Sequence, residues 1–173
     1  MRNKTNCSGF TLIELLVVLA IIAILAAIVF LLINPQQIVK ESRDSIRLND
    51  LTDLEKAIYI ALQDNTGNPA TILCYNLTRP CEGSSNDIGY DVRASDGTGW
   101  LKVNLRAASY ISVLTLDPLN NPNFFYIYRT NNAGSKWEIN AILESNKYSI
   151  KMPNDQGSNP GRYEIGSDLS IIP

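Results

Sequence analysis

Glu14 places a carboxylate inside a run of 24 residues, Phe10 to Ile33, in which Thr11 is the one other polar side chain. An ionisable group among aliphatic neighbours is costly to bury alone, so it calls for an opposite charge or strong hydrogen-bond donors. Other chemistry finds less support. The sequence has no histidine, which excludes Ser-His-Asp and Cys-His nucleophile activation and any metal site built on imidazole. Asp91, Asp96 and Asp117 lie among turn-forming residues, and no spacing pairs them for acid–base work. An enzyme is therefore not expected. Of three cysteines, Cys7 precedes the apolar run, while Cys74 and Cys81 form an even pair close enough to bridge. In an exported domain the pair reads as a disulfide that stabilises the fold by roughly 2–3 kcal/mol, with two reduced, buried thiols as the alternative. Asn76-Leu77-Thr78, inside that loop, matches a glycosylation sequon, a triplet too common to weigh much.

The element carrying Glu14 must be a helix. Phe10–Ile33 would span about 36 Å as an α-helix, against about 30 Å for a hydrocarbon core. Eighteen of its residues are Leu, Ile, Val or Phe. Together they favour insertion by about 5–11 kcal/mol, against about 3 for a central acid. A cleavable secretory signal has a shorter apolar core and an A-x-A-like site, which Ala20, Ala23, Ala26 and Ala27 do not supply. A plain membrane anchor leaves Glu14 without a purpose. Arg2 and Lys4 precede the span and Lys40, Arg43 and Arg47 follow it, so charge does not orient it.

The segment Ser8-Gly9-Phe10-Thr11-Leu12-Ile13-Glu14-Leu15-Leu16-Val17-Val18 closely resembles the processing site of type IV prepilins and type II secretion pseudopilins. The resemblance implies a leader over residues 1–9, cut between Gly9 and Phe10 by a prepilin peptidase on the cytoplasmic side, and N-methylation of the new terminal Phe10. It puts the leader inside and the body outside. Glu14 then becomes an assembly residue whose carboxylate meets the Phe10 amine of a neighbouring subunit, and an unpaired Glu14 disfavours wrong stagger. Implied partners are the prepilin peptidase, copies of the chain itself and other pilins, an inner-membrane assembly platform and membrane lipid. The implied location is the inner membrane as a single-pass protein, then a cell-surface or periplasmic filament. Many members of this family carry a proline where this chain has Leu31; the nearest here is Pro35, which predicts a kink around Ile33 to Pro35.

Beyond Gln36 the pattern stays helical to about Asp64 and becomes amphipathic, with Leu51, Leu54, Ile58, Ala61 and Leu62 on one face. Lys40, Arg43 and Arg47, interleaved with Glu41 and Asp44, read as a solvated or inter-subunit face, with lipid headgroups as the alternative contact. Asn65-Thr66-Gly67-Asn68-Pro69 is a stop signal. The whole helix would run about 80 Å.

Residues 70–99 read as a loop-rich connection, and strands are predicted at Trp100–Leu105, Phe124–Arg129, Trp137–Leu143 and Tyr163–Ile165. Asn131-Asn132-Ala133-Gly134 supplies a turn between two of them. The expected fold is α+β and pilin-like: a long N-terminal helix, its first half transmembrane, packed on a small antiparallel sheet. The expected divisions are a leader (1–9), a membrane and assembly half-helix (10–33), an amphipathic half-helix (34–65) and an exported body (66–173). Leu116-Asp117-Pro118-Leu119-Asn120-Asn121-Pro122, followed by Phe124-Phe125-Tyr126, resembles the segment entering the sheet in major pseudopilins. Asn154-Asp155-Gln156-Gly157 to Gly166-Ser167-Asp168 occupies the region where those proteins bind Ca2+. Its acids are sparse and form no EF-hand pattern, so a surface loop is the reading and Ca2+ the alternative. No cofactor is required. Fifteen basic and seventeen acidic residues give a net charge of −2. Without the leader, 13 remain against 17, or −4, which offers nucleic acid no attraction. The expected function is a structural subunit of a type IV pilus or secretion pseudopilus, the alternative a minor pilin or a membrane-anchored binding or adhesion module.

Overall fold

The computed structural model of the chain describes residues 9–32, 34–64, 67–75, 78–89, 91–106 and 111–173. The expected leader apart from Gly9, and Asn76 and Leu77 of the sequon, lie outside them. The chain divides into two compact units, the first ending at Ile38 and the second running from Val39 to Pro173.

Helix α1 spans Leu12–Leu32. Its window Leu12–Val29 has a mean hydropathy of 3.2 with none of it buried, long and apolar enough to cross a membrane. Helix α2 spans Pro35–Asp64. Pro35 at its first position has no N–H to leave unbonded. Asn34 caps it: the Gln37 N–H donates to Asn34 Oδ1 at 3.3 Å and the Ile38 N–H to the Asn34 carbonyl at 3.3 Å. The helix expected to run on from Phe10 is thus two helices, with the break between Leu32 and Pro35; Ile33 lies outside the described residues.

In the second unit, α2 is followed by α3 (Pro69–Leu73), β1 (Glu82–Ser84), β2 (Ile127–Thr130), β3 (Trp137–Ala141), a short 3-10 helix (Ser149–Asn154) and β4 (Tyr163–Gly166). The four strands form one antiparallel sheet in the order β1-β2-β3-β4. Tyr128 pairs with Ile139, and the β2–β3 turn closes through Asn131 and Gly134, whose φ of 69° suits glycine. Leu51, Leu54, Ala57, Ile58 and Ala61 of α2 pack with Tyr126, Tyr128, Trp137, Ile139 and Ala141 in the core. Each large apolar side chain buried there stabilises the fold by roughly 1.5–3 kcal/mol. Tyr59 meets Trp137 edge-on at 5.8 Å, and the Tyr126 hydroxyl donates to Asp50 at 2.9 Å. This is the expected α+β fold, a helix laid on a small antiparallel sheet.

Three local expectations need correction. Trp100–Leu105 is no strand: Trp100, Leu101, Val103 and Leu105 are buried, but the backbone turns and makes one isolated bridge, Asp96 to Asn104. Burial explains its apolar residues; among the described residues no neighbouring strand pairs with it. The stretch read as loop holds α3, with Asn68 Oδ1 accepting from Ala70 N–H at 3.0 Å and Pro69 at its start, and also β1. β1 hides its signal because Gly83 must be small: an added Cβ would collide with the Trp100 carbonyl. Finally, the strand expected over Trp137–Leu143 ends at Ala141, and all five of its positions are buried, since the C-terminal residues cover its second face. Cys74 and Cys81 form the expected disulfide, with Cα atoms 5.8 Å apart and both residues buried.

Candidate processing and assembly site

The backbone turns into α1 at Thr11, and Glu14 closes the first turn. Glu14 Oε2 accepts from both the Thr11 N–H and the Thr11 hydroxyl at 2.8 Å, while the Glu14 N–H donates to Thr11 Oγ1 at 3.3 Å. This is a reciprocal capping box, satisfying amides that a helix start leaves without partners. The sequence reading missed it, although Thr11-x-x-Glu14 ahead of an apolar run is its signature. Glu14 therefore has a partner within its own chain. Both bonds fall on Oε2, so Oε1 stays available to a donor from another molecule. Phe10, Leu12, Ile13 and Leu15 to Leu16 are exposed around it, an unpartnered aliphatic surface.

A second polar constellation lies in the body and was not anticipated. Arg47 is fully buried, as is Asp44. Arg47 grips Asp117 with two parallel bonds, Nε to Oδ2 at 2.6 Å and Nη2 to Oδ1 at 3.0 Å. Its Nη1 donates to Asp44 Oδ1 and to Glu144 Oε1, each at 2.8 Å. The guanidinium also lies over the Phe124 ring, 4.9 Å from its centroid. Arg43 completes the group through Glu144, Nε to Oε1 at 2.6 Å and Nη2 to Oε2 at 2.7 Å. The acids are further satisfied by backbone: Asp44 Oδ2 accepts from Ser145 N–H at 2.7 Å, and Asp117 Oδ1 from Leu119 N–H at 2.8 Å.

Burial opposes the charge on Arg47, but the hydrogen bonds it donates to three acids outweigh that and hold the group protonated. The Arg43 hydrogen bond, followed by that of Arg47, holds Glu144 below the usual carboxylate range despite partial burial. The expectation of a solvated face at Arg43 and Arg47 is thus overturned: they fasten α2 to the segments at Asp117 and Glu144. The signal lay in the helix stripe itself. Stepping back from Leu51 by four residues reaches Arg47, and by three more Asp44, on the same buried face.

In the stretch considered for Ca2+, which also carries Glu164 of β4, Asp155 and Asp168 are engaged by donors. Asp155 accepts from Gly157 N–H and Glu164 N–H at 2.8 Å, and Asp168 from the Ser170 hydroxyl at 2.7 Å. Among the described residues no group of three or more His, Cys, Asp or Glu is arranged to hold a metal.

Fold and N-terminal geometry together define a pilin-like α+β protein. Residues 4–30 match the family model described as the prokaryotic N-terminal methylation motif. No curated protein and no solved structure matches the chain. The chain thus carries the N-terminal methylation motif typical of type IV pilins and pseudopilins. Pilins are structural proteins rather than enzymes. The motif implies processing by a prepilin peptidase and assembly with other pilins. With the apolar helix it points to membrane insertion before export into a filament.

Proposed function

We propose that this chain is a filament subunit of a type IV pilus or a type II secretion pseudopilus, cleaved between Gly9 and Phe10, methylated on Phe10, and polymerised through α1. The observation that carries this reading is the placement of Glu14: a carboxylate fixed by Thr11 at the start of a fully exposed apolar helix, four residues after the amine that cleavage would create. In an environment of low dielectric, that carboxylate and the Phe10 amine of a neighbouring subunit favour one register over others. Residues 10–33 then form the membrane and assembly segment and residues 66–173 the exported body. A minor subunit or an anchored adhesion module is the alternative, separated from a major subunit by abundance in the fibre and by the ability to polymerise alone.

The test is mass spectrometry of the N-terminal peptide from sheared surface filaments. Methylated Phe10 in that fraction supports both cleavage and assembly. Recovery of the chain only from membranes, still joined to Met1, would replace this reading with a simple anchor.

A further inference from the structure

The second face of the sheet holds two acids that the assembly reading does not use. Glu138 on β3 is fully buried and Glu164 on β4 is 2% exposed. Strand pairing sets Glu164 opposite Asn140, one same-face step from Glu138, so the two acids are diagonal neighbours on one face of the sheet. Glu138 Oε2 accepts from the N–H groups of Ile171 and Ile172, each at 2.9 Å, and so holds the C-terminal strap, residues 167–173, across the sheet. Glu164 Oε2 accepts from Asn159 N–H at 3.1 Å, but Oε1 is buried with no donor. Gly157 passes so close that an added Cβ would strike the Glu164 carboxylate, leaving that side chain no room to turn away.

We propose that Glu164 carries a proton directed at Glu138 that latches the C-terminal strap onto the sheet, and that loss of this proton as pH rises frees the strap. A proton on Glu164 Oε1 gives the orphaned oxygen a bond to Glu138 and removes the repulsion of two buried carboxylates. Without it, the pair separates most easily by loosening Glu138 from the strap, because β3 and β4 are pinned by the ladder. Other charged groups near Glu164 are Asp155, whose Oδ2 accepts the Glu164 N–H, Arg162, whose Nη1 donates to Asn140 Oδ1 at 3.1 Å, and Lys151 of the 3-10 helix, which lines the same pocket. Burial first, then Glu138 and Asp155, push Glu164 up to about 7, against the Asn159 amide. Ser158 N–H donates to the Leu169 carbonyl at 2.9 Å, so the loop before β4 moves with the strap. The docked strap already borders an open groove of about 540 Å³, its Ile172 and Pro173 lining it together with Phe125, Ile127 and Arg129.

The direction follows from linkage. Below the ordinary carboxyl value of about 4.5, docked and freed states both carry the proton. Between there and about 7 only the docked state keeps it, so strap opening rises up to about tenfold per pH unit, roughly 300-fold in all, then levels off. Hydrogen exchange of the full-length chain in detergent micelles tests this at pH 5–8, with EDTA present and rates corrected for intrinsic exchange. Protection of residues 167–173 relative to β2 should fall by up to tenfold per unit to about pH 7. In Glu164→Gln, whose amide supplies the donor permanently, it should be flat. A flat wild-type profile, or the same slope in Glu164→Gln, overturns the proposal. Should that variant not fold, carboxyl carbon-13 titration of the wild type decides. One glutamate with a midpoint above about 6 supports the latch, and all of them below about 5 refutes it.

Discussion

Replacing Arg47 by methionine keeps most of the side-chain volume and removes a guanidinium that makes four bonds to three acids. Asp44 and Asp117, both with fully buried side chains, lose their cation. Breaking a buried pair from one side costs roughly 3–5 kcal/mol. Backbone amides still hold both carboxylates here, so the low end applies, about 3 kcal/mol, or two orders of magnitude in the folding equilibrium. For a body of this size, the midpoint temperature should fall on the order of 10 °C. Urea unfolding of the full-length chain in mild detergent, followed by near-UV circular dichroism of the buried Trp100 and Trp137, reads this directly. The pH dependence adds a second check. Without Arg47, Glu144 keeps Arg43 as its one cation in the cluster. Glu144 in the wild type is depressed, so that contribution is present above about 4.5 and lost as pH falls through its folded value. The two stability curves should therefore converge in acid. A variant within about 1 kcal/mol of wild type at pH 7, or a gap that widens in acid, would refute the argument that this cluster holds the body on α2.

Glu14→Ala should leave cleavage after Gly9 intact while lowering the yield of sheared filaments; normal yield would remove Glu14 from assembly. Because Glu14 also closes the capping box, Thr11→Val serves as the control: it costs about 1 kcal/mol at the helix start but should reduce filaments less than Glu14→Ala does. Cys74→Ser with Cys81→Ser opens the loop and should cost roughly 2–3 kcal/mol in the same urea assay. A reducing agent added to the wild type should match that loss, and no effect from either would count against a structural disulfide.

What the sequence determined by itself was mostly local. The span of α1, the disturbance at Pro35 expected as a kink and the turn at Asn131–Gly134 each rest on residues within a few positions of one another, and so does the Thr11-x-x-Glu14 box, whose signature went unread. Their physics is helix propensity, capping and turn geometry, all legible along the chain. The aromatic and β-branched run Tyr126–Tyr128 and the Trp137–Ile139 alternation marked β2 and β3 for the same reason.

Only the tertiary structure decided the fate of the charges. Arg47 and Asp117 are separated by 70 residues and Arg47 and Glu144 by 97, so the burial of all three depends on contacts that no window on the sequence contains. Alternating basic and acidic residues at 40–47 suit a solvated helix equally well until something covers them. The same holds for Glu138, whose burial depends on a C-terminal strap that reaches it from more than 30 residues away. Desolvation is a property of what arrives from elsewhere in the chain, and that is why the apolar pattern announced the core while the buried ionic groups stayed hidden.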